Sequence, residues 1–230
     1  AGLARGGAKP YCFIYSTFLQ RAYDQLIHDV ALQNLPVRFI VDRAGVVGED
    51  GATHNGVFDI AFARVIPNLV ICSPSSKEEL EKAIAFSANH ETHPFIIRIP
   101  RGEVHSDFST DSFEFGKGRI MLEGKERAII GVGITSKYAL NKAREGGFTA
   151  VDLRFIKPID EALIVKLFQE YSVIEIIEDG SIGGVYSIIL ELCHKHNLDI
   201  TKLKQFILPD EFIEHDTIKN IHLKYLTPIL

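Results

Sequence analysis

VRFIVDRAG, residues 37–45, is an apolar, largely β-branched run that breaks at Asp42 into charge and glycine. A run apolar on both faces marks a strand covered on both sides in a parallel sheet, and the polar break marks its carboxyl end. The same design recurs along the chain. Strands are expected at 11–14 (YCFI), 37–41 (VRFIV), 69–72 (LVIC), 95–98 (FIIR), 128–132 (AIIGV), 149–153 (TAVDL), 173–177 (VIEII) and 205–208 (QFIL). Amphipathic helical segments fall between them, at 17–33, 58–65, 76–90, 135–145, 159–170 and 183–196. Ser76 followed by Glu79 fits a capping box opening the helix at 76–90. The alternation predicts an α/β fold of two consecutive, doubly wound parallel-sheet domains.

Residues 103–125 interrupt this rhythm with Ser, Thr, Asp and Gly and no sustained helical period. A short hairpin is expected near 115–122. The expected division is therefore a first domain over 1–105, a linker over 106–124 and a second domain over 125–230. The second reads as a full series of strands and helices. The first reads as truncated at its N-terminus: only AGLARGGAKP (1–10) precedes its first strand, and those residues resemble a helix end closed by Gly6 and Gly7.

Composition excludes several classes. With 46% hydrophobic and 24% charged residues in 230, the chain is neither disordered nor collagenous nor of low complexity. Its 25 Lys+Arg against 30 Asp+Glu give a net charge of −5, with no basic patch of the kind nucleic-acid binding needs. No apolar run approaches the ~20 residues of a membrane span, and no signal peptide is legible at the start. Cys12, Cys72 and Cys193 lie far apart in apolar runs without a CxxC pair, which reads as reduced, buried thiols and a cytoplasmic setting.

Chemistry-bearing residues crowd into three loops of the first domain, each beside a candidate strand end, where α/β sheets place ligands. The first, Tyr15-Ser16-Thr17-Phe18-Leu19-Gln20-Arg21, offers an aromatic face, hydroxyls and a guanidinium at a helix N-terminus. An ordinary cap at Ser16 or Thr17, with Phe18 turned into the core, is the simpler reading. The second runs from Asp42-Arg43-Ala44-Gly45 to Gly56, with four glycines in the 12 positions 45–56, and it carries Glu49, Asp50 and His54. Glycine allows close backbone approach to a ligand, and His54 suits a proton shuttle or an electrophile as well as plain exposure. Glu49 and Asp50 lack the alternating oxygen ligands of a calcium loop, and no metal site is expected. The third, Arg98-Ile99-Pro100-Arg101-Gly102, puts arginine where phosphate or carboxylate can be gripped by two hydrogen bonds, or simply in solvent. Together Arg21, Arg43 and Arg101 would form a cationic pocket for a small anionic substrate.

Other motifs carry less. His90, Glu91 and His93 read as a surface turn before Pro94, and GVGITS (131–136) as a strand-to-helix turn without a full phosphate-loop pattern. Glu178-Asp179-Gly180, with Gly183-Gly184 after it, reads as a strand-end turn, at a subunit interface or simply solvated.

The motifs are specific enough to resemble a known family. YSTFLQRAYDQ (15–25), HDV (28–30), LPV (35–37), DRAG (42–45), GEDGATHNG (48–56), FD (58–59), IPN (66–68) and RIPRG (98–102) resemble the 1-deoxy-D-xylulose-5-phosphate synthase family, which is transketolase-like and dependent on thiamine diphosphate. RFIKPID (154–160), EDG…GG (178–184) and LPDEFIEH (208–215) extend the resemblance into the second domain. There the helix at 136–147 looks short for the family, GGVYSIIL replaces a run of small residues, and Asp216 stands where glycine is common.

The resemblance implies most of the pyrimidine-binding domain followed by the transketolase C-terminal domain. It implies condensation of pyruvate with D-glyceraldehyde 3-phosphate, releasing CO2, as a first step toward isoprenoids and a feeder of thiamine and pyridoxal biosynthesis. Phe18 would stack on the aminopyrimidine, with Tyr15 and Arg21 bordering the cofactor. Tyr15 would also line the substrate channel, Arg43 and Arg101 would bind the triose phosphate, and Asp50 and His54 would bind the substrate and act catalytically at its hydroxyls and aldehyde. The general-base glutamate is expected upstream of Ala1. Mg2+ is expected on an N-terminal domain carried by the same or a second chain, so the chain alone should be inactive, and a homodimer is expected. A C-terminal subunit of a transketolase-like enzyme needing a partner chain, and a non-catalytic assembly module, are the alternatives.

Overall fold

The computed structural model describes residues 1–102, 106 and 112–226. Its strands are β1 (Tyr11–Tyr15), β2 (Arg38–Asp42), β3 (Val70–Cys72), β4 (Phe95–Arg98), β5 (Arg119–Leu122), β6 (Arg127–Gly131), β7 (Thr149–Asp152), β8 (Phe155–Lys157), β9 (Val173–Ile177) and β10 (Leu203–Phe206). The helices are α1 (Gly2–Arg5), α2 (Ser16–Leu19), α3 (Tyr23–Gln25), α4 (Asp59–Ala63), α5 (Lys77–Asn89), α6 (Ser136–Gly146), α7 (Glu161–Glu170), α8 (Val185–His196) and α9 (Ile218–Leu226). They cover two five-stranded sheets, ordered β1-β2-β4-β3-β8 and β10-β9-β6-β7-β5. All pairs are parallel except β3 with β8 and β5 with β7. Each of the eight expected strands is present, and the fold is the α/β arrangement that their pattern implies.

Two strands were not expected as such. β5 lies inside 106–124, the stretch read as a linker, and forms one edge of the second sheet rather than a hairpin. Residues 103–105 and 107–111 of the irregular stretch lie outside the described residues. β8 follows β7 after only Leu153 and Arg154, with Arg154 at φ 54°, and that left-handed residue sends the chain across to the first sheet. Three residues are too short for a periodic signal, which is why RFIKPID did not read as a strand. α9 lay beyond the last expected element.

The helix expected at 17–33 is irregular. A 3₁₀ turn at Gln20–Ala22 joins α2 to α3, and Leu26–Ala31 closes wider π turns, with Leu32 N–H donating to Ile27 C=O at 2.8 Å. α5 begins as expected, with the Ser76 hydroxyl accepting from Glu79 N–H at 3.2 Å. The other half of that capping box is absent. The Glu79 carboxylate is fully buried and instead takes both prongs of Arg154, at 2.6 and 2.9 Å, from 75 positions further along the chain.

The core is continuous between the sheets. Ile60, Ile66 and Ile71 from the first half pack in one cluster with Ile130, Leu153, Ile156 and Ile164 from the second. The one charge inside VRFIV is satisfied locally: Arg38, 1% exposed, donates to the carbonyls of Pro36, Ser87 and His90, the last two at the C-terminal end of α5 where a cation is favoured. Cys72 and Cys193 are buried and Cys12 half-buried, all three as free thiols, and burial pushes the Cys72 thiol well up.

Candidate active site

Parallel pairing sets the carboxyl ends of β1, β2 and β4 side by side. Tyr15 is in register with Asp42, and Val41 with Arg98, so the three loops singled out above leave one edge of the first sheet. At the end of β2, Arg43 takes φ 57°, and the Asp42 carboxylate accepts its N–H at 2.7 Å. Its guanidinium carbon lies 4.4 Å from the Tyr15 ring centroid, a cation–π contact. The same guanidinium is ion-paired with Asp50. Arg101, from the end of β4, reaches the Val47 carbonyl, Glu49 at 3.1 Å and Asp50 at 3.5 Å. Two arginines from neighbouring strands therefore converge on one carboxylate.

Phe18 does not turn into the core. It is 41% exposed and stacks on Tyr15, with centroids 5.5 Å apart and planes 11° from parallel. Neither hydroxyl caps the helix: Thr17 donates to the Thr53 carbonyl at 3.0 Å, and Ser16 Oγ is buried without a partner. His54 meets Phe18 edge to face at 5.7 Å, and its Nδ1 lies 2.9 Å from the Thr53 hydroxyl. Its Nε2 has no hydrogen-bond partner among the described residues. Arg21 is exposed, and no hydrogen bond, ion pair or ring contact joins it to this cluster. The expected three-arginine pocket is thus a two-arginine cluster balanced by Asp50 and Glu49.

Glycine is required twice in the loop that carries these groups. Gly45, at φ 89°, exchanges two 2.8 Å backbone hydrogen bonds with Gly56, and a Cβ on Gly45 would collide with the Asp179 carboxylate. A Cβ on Gly56 would collide with the Arg43 carbonyl and with Ser16. Only bare backbone lets the loop close against both neighbours.

Beside the arginines opens a cleft of ≈ 380 Å³, lined by Asp42, Arg43, Ser75, Ser76, Arg101 and Lys137 among others. A second, of ≈ 320 Å³, is lined by Phe13, Ile14, Tyr15, Phe18, Asp42 and Ile99. The first sets the cations of Arg43, Arg101 and Lys137 beside apolar groups such as Leu80, Ile99 and Ile134; the second offers an open aromatic wall. Among the described residues no group of three or more His, Cys, Asp and Glu is placed to hold a metal ion. No helix of the described residues is long and apolar enough to cross a membrane.

Several residues at this edge were unread or misread in the sequence. Lys137 contributes a cation to the cleft from the first turn of α6, one residue past the GVGITS turn where the reading stopped. Asn55, 4% exposed, accepts from Val47 N–H and donates to the Ile213 carbonyl, both at 3.0 Å. Arg98 is neither solvated nor a ligand group: it is buried in a two-pronged pair with Asp59, at 2.7 and 2.9 Å. Glu178 and Asp179 are also buried, at 1% and 7%, so the two carboxylates of that turn are not solvated. Glu178 accepts from the N–H groups of Val185 and Tyr186 at the start of α8, and burial pushes its carboxyl up to about 7. Only a fold brings such distant residues together, and no local pattern announced them.

Comparison with known proteins agrees with this geometry. The transketolase pyrimidine-binding domain matches residues 1–106, and the transketolase C-terminal domain matches residues 116–227. A 1-deoxy-D-xylulose-5-phosphate synthase of Caldanaerobacter subterraneus subsp. tengcongensis is 46% identical over 233 residues, covering 98% of this chain and 37% of that protein. The chain thus spans little more than a third of that relative's length. A split-gene transketolase solved as an inactive beta4 tetramer superposes with TM-score 0.88 at 28% identity, over 97% of this chain and 74% of that one. A transketolase mutant from Pichia stipitis shares the fold, with TM-score 0.74 at 18% identity over 93% of this chain and 31% of that one. In sequence and in architecture, the chain belongs to the transketolase family, its first part the pyrimidine-binding domain and its second the C-terminal domain.

Proposed function

We propose that this chain is the aminopyrimidine- and acceptor-binding part of a 1-deoxy-D-xylulose-5-phosphate synthase, which joins pyruvate to D-glyceraldehyde 3-phosphate with release of CO2. The observation that carries the reading is the convergence of Arg43 and Arg101 on Asp50 beside a ≈ 380 Å³ cationic cleft, in a chain 46% identical to such a synthase. Planar guanidiniums suit the oxygens of a triose phosphate, and Asp50 sets both of them side by side.

The exposed face of Phe18, backed by Tyr15, fits a flat heteroaromatic ring such as the aminopyrimidine of thiamine diphosphate. When bound, that cofactor supplies the carbanion chemistry. The chain's own residues then bind and orient. Arg43 and Arg101 hold the acceptor, Tyr15 borders it and orients Arg43 through its ring, Asp50 meets its hydroxyls, and His54 Nε2 exchanges a proton with the aldehyde oxygen as the new bond forms. Arg21 borders the cofactor from further along the helix. The diphosphate, Mg2+ and the base for the cofactor's ring proton would be served by another domain, on the same polypeptide or on a second chain. The 230 residues alone would then be inactive. The product would enter isoprenoid, thiamine and pyridoxal synthesis in the cytoplasm, with the enzyme acting as a homodimer.

A second reading has its own support: the split-gene transketolase, 28% identical, matches 97% of this chain. On that reading the chain is a subunit of a transketolase-like enzyme and takes a ketose phosphate as donor. One assay separates the two. The chain is combined with a diphosphate-binding domain, thiamine diphosphate and Mg2+, and given either pyruvate or a ketose phosphate with glyceraldehyde 3-phosphate. CO2 and deoxyxylulose phosphate from pyruvate support the synthase; turnover of the ketose phosphate alone supports the subunit; neither would leave a non-catalytic module.

A further inference from the structure

We infer that Asp179, backed by His222, is a positioning residue for the arginine site: a strut from the second half of the chain that sets where Arg43 and Arg101 stand. The inference rests on the proposed role of Arg43 in binding the acceptor's phosphate.

The groups of the strut line up from α6 to the loop after β2. The Tyr138 hydroxyl lies 2.8 Å from His222 Nδ1, with the two rings edge to face. His222 Nε2 lies 3.1 Å from Asp179 Oδ2, within ion-pair distance but without hydrogen-bond alignment, and that same oxygen accepts the Val46 N–H at 3.1 Å. His222 is fully buried and Asp179 nearly so. A buried carboxylate beside an imidazole, with a backbone donor in line, fixes a loop more firmly than any exposed contact.

Val46 sits three residues from Arg43 and next to Val47, whose carbonyl is an acceptor for Arg101. Four sets of hydrogen bonds fix the backbone between Ala44 and Val47. Two are internal to the first sheet's edge: Ala44 N–H to the Ile99 carbonyl at 2.9 Å, and the paired bonds of Gly45 with Gly56. The other two lead into the second half, through Asp179 to Val46 and through Asn55 to Val47 and the Ile213 carbonyl. The absence of a side chain at Gly45 is what admits the Asp179 carboxylate. Arg43 itself stands in left-handed backbone, where a small displacement of its neighbours redirects the whole side chain. Misplacement of a binding group by about 1 Å is enough to cost a large factor in productive binding. The C-terminal domain would thus contribute to acceptor recognition without touching the acceptor.

The test uses the assembled, active enzyme and separates acceptor from donor. Asp179→Ala should raise the KM for glyceraldehyde 3-phosphate about tenfold, while the KM for pyruvate, the KM for unphosphorylated glyceraldehyde and kcat each move less than about threefold. Asp179→Asn keeps an acceptor for Val46 N–H and should restore the KM to within about threefold of the parent. Asn55→Ala cuts the other tether and should show the same acceptor-specific rise; it carries the test where Asp179→Ala does not fold. A lowered melting temperature with an unchanged KM for the triose phosphate in these variants would overturn the inference and leave Asp179 purely structural. Arg43→Ala is the control. No rise in KM there refutes the phosphate-binding reading and this inference with it; a rise there, but none in Asp179→Ala or Asn55→Ala, refutes the positioning role alone.

Discussion

The Arg43 guanidinium is held over the Tyr15 ring at 4.4 Å, so the last residue of β1 orients the first residue after β2. The ring is only part-exposed, and a cation over such a face is worth roughly 0.5–2 kcal/mol. Tyr15→Phe keeps the face and should leave the KM for the triose phosphate within about twofold. Tyr15→Ala should raise it by about three- to thirtyfold, the equivalent of that energy. Steady-state kinetics on the assembled enzyme reads both. Equal effects of the two substitutions would show that the hydroxyl matters and not the ring.

Arg101 offers a sharper measure of the phosphate site. A charged hydrogen bond to a ligand is worth about 1.5–3 kcal/mol, so Arg101→Ala should raise the KM for glyceraldehyde 3-phosphate by ten- to a hundredfold. Arg101→Lys should recover little, because an ammonium cannot copy the two-pronged contact of a guanidinium. The unphosphorylated acceptor supplies the internal control: its KM should not change. Should both acceptors weaken equally, Arg101 would be supporting the loop through Val47 and Glu49 rather than gripping phosphate.

His54 has one nitrogen engaged by Thr53 and the other without a partner among the described residues. That arrangement leaves Nε2 for a substrate oxygen. His54→Ala should slow turnover about 10²-fold with little change in acceptor KM, the scale of a lost general acid–base group. A near-normal rate would reduce His54 to an edge against the Phe18 ring.

What could be read without the fold has a physical boundary. Strands such as 37–41 and 95–98 were legible because burial on both faces leaves an unbroken apolar run, and the glycine-rich loop was legible because close approach demands Gly45 and Gly56. Arg43, Asp50, His54 and Arg101 stood out because charge and glycine crowd at strand ends. The charge balance at the site did not stand out: that Arg43 and Arg101 share Asp50, while Arg21 stands apart, depends on side-chain reach across two loops. Nor did the struts from the second half. Glu79 read as a cap residue, yet its carboxylate belongs to Arg154, 75 positions away, and Asp179 meets Val46 from 133 positions away. Long-range polar pairs leave no periodic trace, so a single sequence shows only their separate halves.

Glu178 ties the pH dependence of folding to the same junction. Burial raises its carboxyl to about 7, against the pull of the Val185 and Tyr186 N–H groups and of Arg98, while Asp59 pushes in the direction of burial. A folded value above the unfolded one means that the folded state binds the proton more tightly. The corresponding stability is fully present below the unfolded value near 4.5 and is lost as pH rises through about 7. A shift of that size corresponds to a few kcal/mol, on the order of 3, across that window. Asp152, also raised by burial, contributes a slope of the same sign as pH rises above its ordinary carboxylate range. Glu178→Gln removes the titration, so its stability should fall less steeply than the parent's between about pH 5 and pH 8, measured by denaturant unfolding at each pH. The slope is the readout, since the amide also disturbs one of the two hydrogen bonds to α8 and lowers the overall level. Identical slopes in the two proteins would mean that Glu178 stays ionised in the fold, held so by Arg98 and the start of α8.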